Sequence, residues 1–123
     1  MAAQGSWQSA VRRYLTDTIT RGRGTVSCGE MFVLFADQIP LEAAARKWNA
    51  GRRHPSWETP DRMRFYALTQ YLHWMQCSFE PHGQPKTMRT LVHIKARVCP
   101  ACGGALVGVR TAKTCGCQLR GRQ

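Results

Sequence analysis

Apolar residues recur at helical spacing from the start of the chain. Trp7, Ala10, Val11, Tyr14, Leu15 and Ile19 share one face of a 3.6-residue period. The spacing predicts a helix from about Trp7 to Thr20, capped by Ser6 and ended by Arg21-Gly22-Arg23-Gly24. A second start is Ser27-Cys28-Gly29-Glu30, a Ser-x-x-Glu capping box. In it the hydroxyl accepts from the amide of the third helical residue and the carboxylate accepts from the Ser27 amide. A short helix over 28–36 follows. Pro40 suits a first helical residue, where a missing amide costs nothing, and Leu41, Ala44, Ala45 and Trp48 form the stripe of a third helix reaching about Ala50. After a basic loop, Thr59-Pro60-Asp61 opens a fourth helix to about Met75, with Phe65, Leu68, Leu72 and Met75 as its buried stripe.

The period then changes to two. Val92, Ile94, Ala96 and Val98 alternate with Leu91, His93, Lys95 and Arg97, which predicts one half-buried strand. A shorter partner over Gln76 to Glu80 lies across the loop Pro81-His82-Gly83-Gln84-Pro85. Helices followed by one hairpin predict a mainly α fold of the winged helix-turn-helix class over residues 1–98. The longest unbroken apolar stretch, Met31 to Ala36, is far short of the ~20 residues of a membrane span, and the start lacks the apolar run of a secretory signal. These features predict a cytoplasmic protein with no membrane partner.

Cysteine spacing adds chemistry. Four of the six cysteines fall in the last 25 residues, as Cys99-Pro-Ala-Cys102 and Cys115-Gly-Cys117. Clustering of this kind reads as metal ligation, since a disulfide framework would spread its cysteines along the chain. Zinc takes four thiolates in a tetrahedron, and Cys-x-x-Cys supplies two from one turn. The β-prone run Ala105 to Arg110 between the pairs makes residues 99–123 a small zinc ribbon. Too short to hold an apolar core, such a unit folds on the ~10 to 16 kcal/mol that structural zinc contributes. One structural Zn²⁺ on Cys99, Cys102, Cys115 and Cys117 is favoured over an iron–sulfur cluster or a redox pair, although Cys-x-Cys is the less frequent second half of a ribbon. Four filled positions leave no place for a catalytic water. Cys28 and Cys77 stand alone and read as buried packing thiols.

Composition identifies the partner class. In 123 residues, 43% hydrophobic content supports a globular fold, while 18 Lys+Arg against 7 Asp+Glu gives a formal charge of +11. After Glu80 there is no acid, yet Lys86, Arg89, Lys95, Arg97, Arg110, Lys113, Arg120 and Arg122 follow, and Arg46, Lys47, Arg52 and Arg53 form a second cluster. Self-repulsion on this scale calls for a polyanion, and nucleic acid is the favoured one. Phosphate contacts of this kind carry affinity without sequence information. Base reading requires a helix in the major groove. On the fourth helix the face opposite the apolar stripe carries Arg62, Tyr66, Gln70 and His73, with Thr69 at its edge; on the third it carries Arg46, Asn49, Ala50 and Arg53. The fourth is favoured because it runs directly into the hairpin. His82 and Gln84, with Lys86 beyond, form the wing tip. Trp7, Tyr14, Trp48 and Phe65 fall on apolar stripes, whereas Trp57 stands in the basic loop, able to plug the core or reach a partner.

The segment Val26-Ser27-Cys28-Gly29-Glu30, the run Phe35-Ala36-Asp37-Gln38-Ile39-Pro40 and the later helix and hairpin resemble small helix-turn-helix DNA-binding proteins of actinobacterial phages, over about residues 7–98. The tail looks like a zinc-ribbon appendage of the Cys-Pro-x-Cys-Gly kind. The resemblance implies a phage-encoded regulator that binds double-stranded DNA in the host cytoplasm. An adaptor that grips a host protein such as RNA polymerase, or RNA, through the ribbon is the alternative. A homodimer is compatible with the winged class, although no heptad seam is present. An enzyme is disfavoured: the acids are few and separated, His54, His73, His82 and His93 are dispersed, and no nucleophile stands near a base in sequence.

Overall fold

The computed structural model describes residues 6–50, 59–83 and 86–109. Its elements are α1 (Ser6–Thr20), β1 (Thr25–Ser27), α2 (Cys28–Phe35), a 3₁₀ turn (Ala36–Gln38), α3 (Leu41–Ala50), α4 (Pro60–Trp74), β2 (Ser78–Glu80), β3 (Leu91–His93), β4 (Ala96–Val98) and β5 (Ala105–Val107). The fold is mixed α/β, with four helices and two small antiparallel sheets among the described residues. No described helix is long and apolar enough to cross a membrane.

The helix starts follow the sequence grammar. Ser27 caps α2 in a complete capping box: its Oγ accepts from the Glu30 amide at 3.1 Å, while the Ser27 amide donates to Glu30 Oε1 at 2.8 Å. Thr59 caps α4 by accepting from the Arg62 amide at 3.2 Å, with Pro60 as the first helical residue. Four edge-to-face aromatic pairs tie the helices together. Trp7 meets Tyr71, Tyr14 meets Phe35, Phe32 meets Phe65 and Trp48 meets Tyr66, with centroids 5.4, 5.7, 5.6 and 5.7 Å apart. Each such pair adds about 0.5–1.5 kcal/mol beyond its buried area. Between them lie Val11, Leu15, Met31, Leu68 and Leu72, all fully buried. Leu41, expected on the buried stripe of the third helix, is instead exposed, and Ile39 takes the buried place just before it.

The strands differ from expectation in number and extent. A three-residue strand, β1, joins the hairpin and gives a sheet of order β1-β3-β2. Val26, Val92 and Phe79 stand in one row across it, all buried. The single strand expected over 91–98 is two. After His93 the chain leaves this sheet, and β4 pairs with β5 in a separate two-stranded sheet. Val92 and Ile94 are buried, but the alternation then lapses: Ala96 is exposed and Val98 is 72% exposed. Burial in the second sheet falls on β5, where the successive residues Leu106 and Val107 are both buried, one on each face, with Val107 in the main core. The pairing of Val98 with Ala105 crosses the sequence boundary placed at residue 98.

Two helices end in the same way. At α1 the Arg23 amide donates to Thr18 O and the Gly22 amide to Ile19 O, with Gly22 at φ +90°. At α4 the Cys77 amide donates to Leu72 O and the Gln76 amide to His73 O, with Gln76 at φ +69°. Both are Schellman caps, in which a left-handed residue reverses the chain and satisfies carbonyls of the last turn. Gln76 is the one non-glycine residue with positive φ among those described.

Candidate functional site

The hairpin and the second sheet bring most of the described C-terminal cations to one part of the chain. Arg89, Lys95 and Arg97 are exposed. Lys86 is half-buried, its Nζ 4.7 Å from the centroid of the Phe79 ring, a cation–π contact that holds the ammonium against the hairpin. The Arg97 Nε donates to Val109 O at 3.0 Å, anchoring the guanidinium across β4 and β5. Two nearby acids are engaged. Glu80, the last acid of the chain, contacts His93 Nε2 at 2.8 Å, and Arg23 Nη2 donates to both oxygens of Glu30, at 2.8 and 2.9 Å, beside the Ser27 amide on Oε1. The Ser27 amide and Arg23 hold the Glu30 carboxyl below its ordinary range.

On α4 the expected face is partly realised. Arg62 and His73 are exposed and Gln70 is half-buried on the side away from Leu68 and Leu72. Tyr66 lies on the same side, but its half-buried ring packs edge-on against Trp48. Thr69 is only 3% exposed and donates its Oγ1 hydrogen to Tyr66 O at 3.0 Å, so it is withdrawn from that face. On α3, Arg46, Asn49 and Ala50 are exposed. Arg52, Arg53, His54 and Trp57 lie outside the described residues, as does Gln84 of the hairpin loop; His82 is exposed at its tip.

The first cysteine pair occupies a tight turn. The Cys99 amide donates to Gly104 O and the Gly103 amide to Cys99 O, each at 2.8 Å. Cys99 is 1% exposed and Cys102 is exposed. A Cβ at Gly104 would lie 3.3 Å from the Cys102 sulfur, so the glycine leaves space around that thiol. Two thiols on one turn with a glycine beside them suit half of a tetrahedral thiolate site. Cys115 and Cys117 lie outside the described residues, and among the described residues no three His, Cys, Asp or Glu side chains gather as a metal-binding group.

Cys28 and Cys77 are both buried core residues. Burial pushes the Cys28 thiol up to about 11 against the opposing pull of Lys86, and burial also raises Cys77. Both are therefore held as neutral thiols, poor nucleophiles at neutral pH.

A feature with no sequence signal lies between the end of α4 and the second sheet. A cleft of about 190 Å³ is lined there by Gln76, Lys95 and Arg97, backed by the buried Met75 and Leu106. The two cations were legible as alternate residues of a strand. Gln76 was not, because glutamine carries no preference for the left-handed cap it occupies. Compared with known protein families, curated proteins and solved structures, the chain matches none.

Proposed function

We propose that this protein binds duplex DNA as a winged helix-turn-helix regulator, with a C-terminal ribbon built on one structural Zn²⁺. The observation that carries the reading is charge placement: beyond Glu80 the chain has no acid, and Arg89, Lys95 and Arg97 are exposed on the segments that follow α4. Connectivity supports it. The strand between the first two helices pairs with the second strand of the hairpin, and α4 leads into the first, an order that a winged fold shares, here with three helices between β1 and β2. In this reading Arg62, Gln70 and His73 of α4 face base edges, while Arg46, Arg89, Lys95 and Arg97 meet phosphates. Cys99 and Cys102, with Cys115 and Cys117, would hold the zinc. Bound there, the metal supplies a fold-stabilising crosslink and no reaction.

Titration of a labelled duplex against salt tests the DNA reading. The association constant should fall by about 10³ or more between ~50 and ~200 mM salt if six phosphates are contacted. Absence of binding at low salt, or binding indifferent to salt, overturns it. Metal analysis tests the ribbon independently: purified protein should carry one zinc per chain, and Cys99→Ser should lose it. Metal-free wild-type protein with an unchanged fold overturns the zinc.

A second reading is an adaptor that docks a host protein such as RNA polymerase through the ribbon; the outer face of α2, where Val33 is 82% and Leu34 45% exposed, offers an apolar contact besides. A stoichiometric partner captured from nuclease-treated host lysate and lost with Val33→Glu favours the adaptor. Capture that disappears with nuclease favours DNA.

A further inference from the structure

The cleft at the end of α4 combines three independent features. The first is its charge. Lys95 and Arg97 both line it, and none of its described lining residues is acidic. The β2–β3 register sets Ser78 opposite His93, which carries Lys95, two residues beyond His93, toward Gln76, two residues before Ser78. The Arg97 Nε is bonded to Val109 O, so the guanidinium is pinned at the cleft.

The second feature is the floor. Gly108, at φ +77°, brings its backbone so close that an added Cβ would lie 2.9 Å from Met75 Sδ and 3.1 Å from Arg12 Nε. The second sheet is thereby seated against both α1 and the end of α4, so the cleft has buried apolar backing in Met75 and Leu106. Cations set against such a wall are less screened than on an open surface.

The third is Gln76 itself. At the matching position of α1 the chain uses glycine; here it keeps a glutamine in a conformation that disfavours any side chain. Gln76 lines the same cleft as the two cations, and a glutamine carboxamide has two N–H donors. The C-terminal end of α4 contributes a partial negative charge that opposes an anion here, and the two full positive charges of Lys95 and Arg97 exceed it.

We propose that this cleft seats one phosphate of the DNA backbone, with Lys95 and Arg97 supplying charge and the Gln76 carboxamide a neutral hydrogen bond. The inference rests on the DNA reading above and adds a residue and a subsite to it. It also makes the strained glutamine a binding residue, so stability and affinity should respond to its removal with opposite sign.

The test is a salt-resolved titration of a random-sequence duplex of about 30 base pairs, run on wild type, Gln76→Gly and Lys95→Gln, with thermal melts of each protein. Gln76→Gly should melt higher than wild type, yet bind the duplex about three- to tenfold more weakly with an unchanged salt slope. Lys95→Gln should lower the magnitude of the salt slope by about one, the loss of one phosphate contact. A Gln76→Gly protein that binds as tightly as wild type overturns the proposal, as does a Lys95→Gln protein with an unaltered slope. Wild type that ignores the duplex at low salt overturns the DNA reading itself and this subsite with it. Wild-type binding with both variants unaffected overturns the subsite alone.

Discussion

The ends of α1 and α4 share one hydrogen-bond pattern and differ in the residue at its crux. Gly22 caps α1 in open space, with nothing within 4 Å of where its Cβ would be, and Gln76 caps α4 at the edge of a cationic cleft. A left-handed backbone costs a side-chain-bearing residue about 1–2 kcal/mol. The chain avoids that cost at Gly22, where a side chain would meet nothing, and accepts it at Gln76, which lines a cleft with Lys95 and Arg97. Cap geometry is therefore a matter of folding at one end, and the residue chosen at the other end points to a contact beyond folding.

The largest test of this contrast is at the wall of the cleft. Gly108→Ala adds a side chain at φ +77° against the buried Met75, and should destabilise the protein by about 2–3 kcal/mol in chemical denaturation, with the second sheet loosening first in hydrogen exchange. The paired substitutions come next. Gly22→Ala should cost about 0.5–1 kcal/mol, the left-handed penalty less the flexibility that glycine contributes to the unfolded chain, and Gln76→Gly should gain about the same. Equal effects of the same sign would show that the two caps are not equivalent in backbone geometry.

The smallest effect is at the opposite kind of helix end, the capping box of α2. The Ser27 amide and Arg23 keep the Glu30 carboxyl below its ordinary range, so its contribution is fully present above the unfolded carboxylate value and is lost as pH falls through the lower folded one. Stability measured against pH should show wild type exceeding Glu30→Gln by less than about 1 kcal/mol at neutral pH, with the gap closing on acidification. A gap that widens in acid would reverse the assignment.

Much of the helical frame was legible in the sequence because its signals are local. Ser27, Pro40 and Thr59-Pro60 mark helix starts by chemistry that acts within a single turn. The strands were less legible. β1 is three residues long, too short to display a period, and only its pairing with β3 makes it a strand. The break after His93 was hidden because apolar and polar residues keep alternating through Val98, although the partner of Ala96 to Val98 lies in β5. Which strand an extended segment joins is decided by distant residues, and a local pattern does not contain them. The candidate site divides in the same way. Exposed cations could be read from composition, whereas the withdrawal of Thr69 and the position of Gln76 depend on how far α4 is encased and how it ends.

Ser27 closes β1 opposite Leu91 and, with no residue between, begins α2 as its cap. Sheet and helix thus meet without slack. Any displacement of the β2–β3 hairpin would pass through that ladder rung into the helix, so the hairpin is coupled to α2 at its base.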